Sequence, residues 1–245
     1  MELNTIYNED CLCTMQNIHD GSIDIVITSP PYNLCNSTGR GLQFYRRKKN
    51  TLCFSKLSKG YAGYNDNMPY DEYIKWQRKC LSEMMRIIKD DGAIFYNHKY
   101  RVQNSLLQDW KEIFIGFPVR QIIIWKRKGG INFNPGYFLP TYEVIYMIAK
   151  HKFKLKQHAN ALGDVWEFTQ DRKNKHPAPF PIELPQRIIQ STNANIIYDP
   201  FIGSGTTALA AIHNNRNYIG SEISPEYCEA AKNRIAEYIK EKKRL

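Results

Sequence analysis

Residues 195 to 207 read Asn-Ile-Ile-Tyr-Asp-Pro-Phe-Ile-Gly-Ser-Gly-Thr-Thr, and a helix-like stretch from Ala208 to His213 follows. An apolar run, a turn with two glycines and a helix start together form a strand-turn-helix unit, the repeating piece of a doubly wound α/β sheet. Gly203 and Gly205 let the backbone approach a ligand closely. Free N–H groups at the helix start, with the Thr206 and Thr207 hydroxyls, suit a carboxylate or a phosphate. After the turn Asn214-Asn215-Arg216-Asn217, a second short strand from Tyr218 to Ser221 ends in Glu222, an acceptor suited to ribose hydroxyls. The spacing also satisfies Gly-x-Gly-x-x-Ala through Ala208, so a dinucleotide site competes on this segment alone.

A second segment narrows the chemistry. The apolar run Ile23 to Ile27 leads directly into Thr28-Ser29-Pro30-Pro31-Tyr32-Asn33, a loop at a strand end. Two prolines fix φ, restrict the residue before them and lack N–H groups, so Ser29 and the Pro30 carbonyl are held as acceptors beside an aromatic ring. Such a site suits an amino group on a flat base. The lone pair of that amino nitrogen is delocalised into the ring, and acceptors for its two hydrogens favour the pyramidal nitrogen that can attack. Tyr32 would stack on a base flipped from the duplex, which costs a few kcal/mol, on the order of the stacking regained. The plain alternative is a tight loop with a buried tyrosine.

Together the two segments resemble the DNA amino-methyltransferases that use S-adenosyl-L-methionine, of restriction-modification type. The order, Ser-Pro-Pro-Tyr before Phe-x-Gly-x-Gly, is that of the permuted group called β. The resemblance implies a Rossmann-like methyltransferase: a mostly parallel, doubly wound sheet with an antiparallel strand pair at its edge. It implies that Asp199, Phe201, Gly203, Ser204, Gly205, Thr206, Thr207 and Glu222 bind the cofactor. Asn8-Glu9-Asp10-Cys11 is similar to the stretch that approaches the adenine, which adds Asp10 and Cys11. His176-Pro177-Ala178-Pro179-Phe180-Pro181 resembles the element closing over the methionine moiety, which adds His176, Pro177 and Phe180. Tyr137 to Glu143 resembles the segment that encloses the flipped base.

Ser29, Pro30, Pro31 and Tyr32 are then the catalytic residues, acting by direct transfer without covalent intermediate or metal. Ser at the first position resembles many cytosine-N4 enzymes, where many adenine-N6 enzymes carry Asp or Asn. Cytosine N4 is therefore the expected target and adenine N6 the alternative. Methylation of RNA or of a protein glutamine, a nicotinamide oxidoreductase and a catalytically idle DNA-binding protein remain as rivals.

Charge agrees with a polyanionic partner. Lys and Arg total 34 against 24 acidic residues, a net charge of +10. From Asn33 to Gly63 there is no acidic residue, while Arg40, Arg46, Arg47, Lys48, Lys49, Lys56 and Lys59 occur among Phe44, Tyr45, Phe54 and Tyr61. This reads as a DNA-contacting insertion at about 34–64, against the alternative of a solvated basic loop. Asn33, Lys126, Arg127 and Lys128 are further candidate contacts with double-stranded DNA. Family recognition regions usually lie between the enclosing segment and His-Pro, which leaves only about 152–164 here, so recognition would be shared with the insertion. A homodimer and a cognate restriction endonuclease are left open as partners.

At 245 residues, one methyltransferase domain over 1–245 is expected. No apolar run reaches the ~18 residues that span a bilayer and no secretory signal begins the chain, so a cytoplasmic protein is expected. Cys11, Cys13, Cys35, Cys53, Cys80 and Cys228 form no C-x-x-C pair and no zinc-like spacing, and read as reduced and structural. No Pro-Cys dipeptide occurs, which argues against cytosine C5 chemistry.

Helical spacing runs through Tyr73, Trp76, Gln77, Cys80, Leu81, Met84, Ile87 and Ile88, with Asp71 as expected cap and Asp91-Gly92 as expected stop. A strand from Ala93 to Tyr96 follows, and Val119 to Trp125 with Val144 to Ala149 are the candidate edge pair. Ser224-Pro225-Glu226 opens the last helix, with Ile223 placed to staple onto Cys228. Trp125 and Trp166 read as core, and His98 as a loop histidine with a structural hydrogen bond.

Overall fold

The apolar run after Ser22 becomes a central strand of an eight-stranded sheet. The structure is a computed structural model and describes residues 1–33, 68–103, 105–128, 132–169 and 180–242. Strands are β1 (Thr5–Tyr7), β2 (Ile23–Thr28), β3 (Ile88–His98), β4 (Arg101–Gln103), β5 (Leu106–Gln108), β6 (Val119–Arg127), β7 (Tyr142–Ala149), β8 (Val165–Phe168), β9 (Ile196–Asp199) and β10 (Asn217–Ser221). Helices are α1 (Cys11–Gln16), α2 (Tyr70–Ile87), α3 (Glu183–Gln190), α4 (Thr206–His213) and α5 (Pro225–Lys242).

The strand order is β1-β10-β9-β2-β3-β7-β6-β8, with β4 and β5 forming a separate hairpin. Among the described strands of the large sheet, only β7 runs against its neighbours, pairing antiparallel with both β3 and β6. This matches the expected mostly parallel sheet and its antiparallel pair, with Ile123 opposite Ile145 and Trp125 opposite Glu143. The outermost strand, β8, is parallel to β6 and was not anticipated, because four residues carry too little periodicity.

Alternation along the strands sends side chains to two cores. Ile25, Ile27, Phe95, Ile145 and Met147 face α3, α4 and α5, while Val26, Ile94, Tyr96, Val144 and Ile148 face α1 and α2. Both faces are covered, which is why these strands read as nearly continuous apolar runs. Trp125 and Trp166 lie in the first core, as expected.

The long helix buries Tyr73, Ile74, Gln77, Cys80, Leu81, Met84 and Ile87. Its ends differ from the sequence signals. Pro69 occupies the N-cap, and Asp71 sits inside the first turn with Glu72, where both favour the positive end of the helix. The helix stops at Ile87, and Asp91-Gly92 lies within β3, at the irregularity where pairing skips from Ile23–Ile88 to Ile25–Ala93. Close approach explains the glycine, since a Cβ on Gly92 would lie 2.8 Å from the Asp24 carbonyl oxygen and 2.9 Å from Ile88 Cβ. The last helix begins as its sequence implies: Ser224 Oγ accepts from the Tyr227 N–H at 3.4 Å, with Pro225 as first residue. Ile223 remains 41% exposed. No described helix is long and apolar enough to cross a membrane.

Gly92→Ala should lower the unfolding free energy by about 1–3 kcal/mol through backbone displacement. Urea denaturation checks this; an unchanged midpoint would mean that β2 and β3 separate freely at the irregularity.

Candidate active site at the carboxyl ends of the central strands

Strands β9 and β2 are neighbours 171 residues apart in sequence, and the connections leaving them run to opposite sides of the sheet. That arrangement opens a crevice at their carboxyl ends, the usual ligand site of doubly wound sheets. The two sequence motifs occupy its two sides. Asp199 joins them: Thr28 Oγ1 donates to its Oδ1 at 2.8 Å, Thr207 Oγ1 to its Oδ2 at 2.6 Å, and the Phe201 N–H to Oδ1 at 3.1 Å. Burial pushes the Asp199 carboxyl up to about 6 although all three donors oppose the shift.

The glycine turn needs left-handed backbone at Gly203 (φ 51°) and Gly205 (φ 79°), conformations that cost other residues strain. Gly205 is also the N-cap of α4 and brings no side chain to the first-turn amides. Arg234 of α5 steadies the loop by donating to the Ser204 carbonyl and to Thr206 Oγ1, both at 3.1 Å. At the end of β10, Glu222 accepts from the Gly203 N–H and the Ser224 N–H at 2.9 Å each, and burial raises its carboxyl. Each oxygen keeps a further lone pair for a ligand hydroxyl. Asn8 Nδ2 donates to the Glu222 carbonyl at 2.8 Å, which brings the Asn8–Cys11 stretch to the same crevice. Within that stretch Asp10 caps α1, accepting from the Leu12 N–H at 2.7 Å. The Cys11 thiol turns into the core, 3.9 Å from Cys80 Sγ, so its side chain is withdrawn from a ligand. A hydrogen bond with Cys80 and burial both raise it. Phe201 is half-buried beside Trp76, ring centroids 5.6 Å apart, and Phe180 is part of the core. His176 and Pro177 lie outside the described residues.

Across the crevice the proline loop is held from below. Lys99 N–H donates to His98 Nδ1 at 2.9 Å, which places the ring proton on Nε2, 2.9 Å from Tyr73 Oη. Tyr73 in turn donates to the Pro31 carbonyl at 2.9 Å. Burial drives His98 down to about 3, so the ring is neutral and serves as a structural link.

Ser29 Oγ lies 2.6 Å from Tyr32 Oη, and Tyr32 donates to Glu143 Oε2 at 3.2 Å. Asn97 Nδ2 bonds Tyr32 Oη at 2.8 Å, Glu143 Oε2 at 2.9 Å and Ser29 Oγ at 3.3 Å. Tyr32 is buried, 5% exposed, with its hydroxyl in this polar cluster. Sequence reasoning gave Asn97 no role and named Glu143 only as the last residue of the segment resembling the one that encloses the flipped base. Their signal was faint, a polar residue near an end of each of two apolar strands, and only the antiparallel pairing of β3 with β7 brings them together.

The candidate DNA contacts divide. Asn33 is buried, with left-handed backbone (φ 54°), and its amide clasps the Met68 backbone through two bonds of 2.8 Å. It therefore ties residue 33 to residue 68. Lys126 and Lys128 are exposed and both pair with Glu167, at 2.9 and 3.3 Å. Arg127 turns inward, 3.6 Å from Glu143 Oε1 and 3.1 Å from the Pro140 carbonyl. Arg40, Arg46, Arg47, Lys48 and Lys49 lie outside the described residues. Residues 152–164 are irregular apart from a 3-10 turn at Ala159–Ala161. No His, Cys, Asp or Glu cluster able to hold a metal occurs among the described residues.

A glycine turn and acidic strand end facing a polar proline loop, across a reversal in strand order, define a Rossmann-like methyltransferase. The fold is similar to that of PvuII DNA methyltransferase (cytosine-N4-specific), with a TM-score of 0.74 at 19% identity over 95% of this chain and 86% of that one. It is also similar to a putative DNA modification methylase of Thermus thermophilus, solved with S-adenosyl-L-methionine, with a TM-score of 0.67, 22% identity and coverage of 95% and 93%. The chain belongs to the N6/N4 DNA methylase family, whose model matches residues 23–233. Among relatives, Type II methyltransferase M.BglII of Bacillus subtilis is 31% identical, over 94% of this chain and 68% of that protein. Type II methyltransferase M2.MboI of Moraxella bovis is also 31% identical, over 95% and 87%.

The raised Asp199 carboxyl has a consequence for stability. The folded state holds this proton more tightly than the unfolded chain, so its stabilisation is complete below the ordinary value of 3.8 and is lost as pH rises through about 6. The loss should total at most about 3 kcal/mol. Asp199→Asn should remove this downward slope, and urea titrations of both proteins from acid to neutral pH check it; parallel slopes would refute the shift.

Proposed function

We propose that this DNA methyltransferase acts on the N4 amino group of cytosine in duplex DNA, after the base is flipped. The observation that carries the reading is the placement of Ser29 at the end of β2, coupled through Thr28 and Asp199 to the glycine turn of the cofactor side. Serine as the first residue of the Ser-Pro-Pro-Tyr loop favours cytosine over adenine.

The cofactor is S-adenosyl-L-methionine, and the residues present fit it. The first-turn amides of α4 suit its carboxylate, since Gly205 supplies no competing side chain. We assign Glu222 to accept from ribose hydroxyls, Asp10 and Phe201 to border the adenine, and His176, Pro177 and Phe180 to cover the methionine portion. When bound, it supplies an electrophilic methyl group. Ser29 Oγ and the Pro30 carbonyl accept the two hydrogens of the target amino group and favour its pyramidal form. Pro31, held by Tyr73, keeps the loop from yielding. Tyr32 is assigned to stack on the base, which requires its ring to be uncovered as the base enters.

The basic segment with Arg40, Arg46, Arg47, Lys48 and Lys49 is assigned to the phosphate backbone, supported by the net charge of +10. Recognition of sequence is assigned jointly to that segment and to residues 152–164. Because M.BglII and M2.MboI are Type II methyltransferases, we also place this protein beside a cognate restriction endonuclease.

Purified protein, unmethylated DNA and methyl-labelled cofactor should yield labelled N4-methylcytosine on nucleoside mass spectrometry. Labelled N6-methyladenine would overturn the choice of base, and no label in DNA would overturn the substrate. Ser29→Ala should lose about 10²-fold or more in transfer rate while retaining cofactor affinity by calorimetry; normal turnover would refute the role of Ser29.

A further inference from the structure

Ser29 has one hydrogen and must present lone pairs to the amino group, so something has to draw that hydrogen away. The polar cluster beneath it supplies a direction. Glu143 is 6% exposed and, when ionised, can only accept hydrogen bonds. Tyr32 donates to its Oε2 at 3.2 Å, which leaves the Tyr32 oxygen to accept from Ser29 at 2.6 Å. Asn97 reinforces the order by donating to both Glu143 and Tyr32. Turning its amide over would set Oδ1 against the Glu143 carboxylate and two hydroxyl oxygens. Arg127 closes the cluster from the other side, 3.6 Å from Glu143 Oε1, so the buried negative charge is balanced.

We propose that Glu143, on the reversed strand β7, is the positioning residue that orients the Ser29–Tyr32 hydroxyl chain and receives the displaced proton through it. The proposal rests on the reading of Ser29 as the acceptor of the target amino group. As the new nitrogen–carbon bond forms and the methyl–sulfur bond breaks, the amino N–H bond also breaks. Its proton passes to Ser29 Oγ while the Ser29 proton moves to Tyr32 Oη and the Tyr32 proton to Glu143. Both hydroxyls are restored, one proton has crossed from nitrogen to carboxylate, and no other reactant is required. The loop itself carries no carboxylate, so this chain places one on a neighbouring strand instead.

The test is single-turnover methyl transfer by the full chain with the DNA that wild type methylates. Glu143→Gln keeps the shape but offers an amide that does not take up the proton, and should slow transfer by about 10²–10⁴-fold. Its KM for DNA and its cofactor affinity should remain those of wild type. Added formate should partly restore Glu143→Ala, because a free carboxylate can enter the vacated space. Full activity of Glu143→Gln would overturn the inference. So would a joint fall in melting temperature and rate in that variant with no formate rescue of Glu143→Ala, which would make Glu143 a structural residue. Failure of wild type to methylate any DNA would instead refute the underlying reading of Ser29.

Discussion

The carboxylate of Asp199 holds the proline-loop strand and the glycine-turn helix in one place. It stands at the last position of β9, receives hydrogen bonds from Thr28 at the end of β2 and from Thr207 in α4, and is buried. Burying a carboxylate is costly unless its lone pairs are engaged, and here three donors engage them. The bonds are local to the crevice, so they tie the end of β2, which leads into the proline loop, to the glycine turn and α4. A shift of one strand relative to the other would leave a buried charge unpaired.

The proline loop depends on a second, more aromatic support. His98, Tyr73 and Trp110 pack within 5.0 to 6.3 Å of one another, and their polar atoms are spent on backbone and on each other. The neutral His98 transmits no charge; it sets the height of Tyr73, which sets Pro31. A loop with fixed φ at two residues and a bonded carbonyl after the second is rigid, which suits the direct transfer proposed for it. Asn33 continues the same logic at the exit of the loop, where its side chain clasps Met68 and gives the chain a fixed return point.

Charge is divided between work at the surface and work inside. Lys126 and Lys128 stay exposed, and both pair with Glu167. Arg127, between them in sequence, alternates to the other face of β6 and balances Glu143. Neighbouring residues at the end of one strand thus present cations to solvent and send one inward to Glu143.

The sequence by itself determined the doubly wound fold and both motifs, because strand alternation, glycine turns and paired prolines are local constraints that the chain carries wherever it goes; the antiparallel pair was implied only by resemblance to a family. Helix ends were read less well: the stop assigned to Asp91-Gly92 is a bulge in β3, since the glycine answers to the Asp24 carbonyl of another strand. The same limit hid Asn97, Glu143 and the inward turn of Arg127. Each is an ordinary polar residue at or near a strand end, and its meaning arises only when β3, β7 and β6 lie side by side. Tertiary structure decided which polar groups share a buried space, because hydrogen-bond partners there are chosen by proximity across strands, a relation that no spacing along the chain encodes.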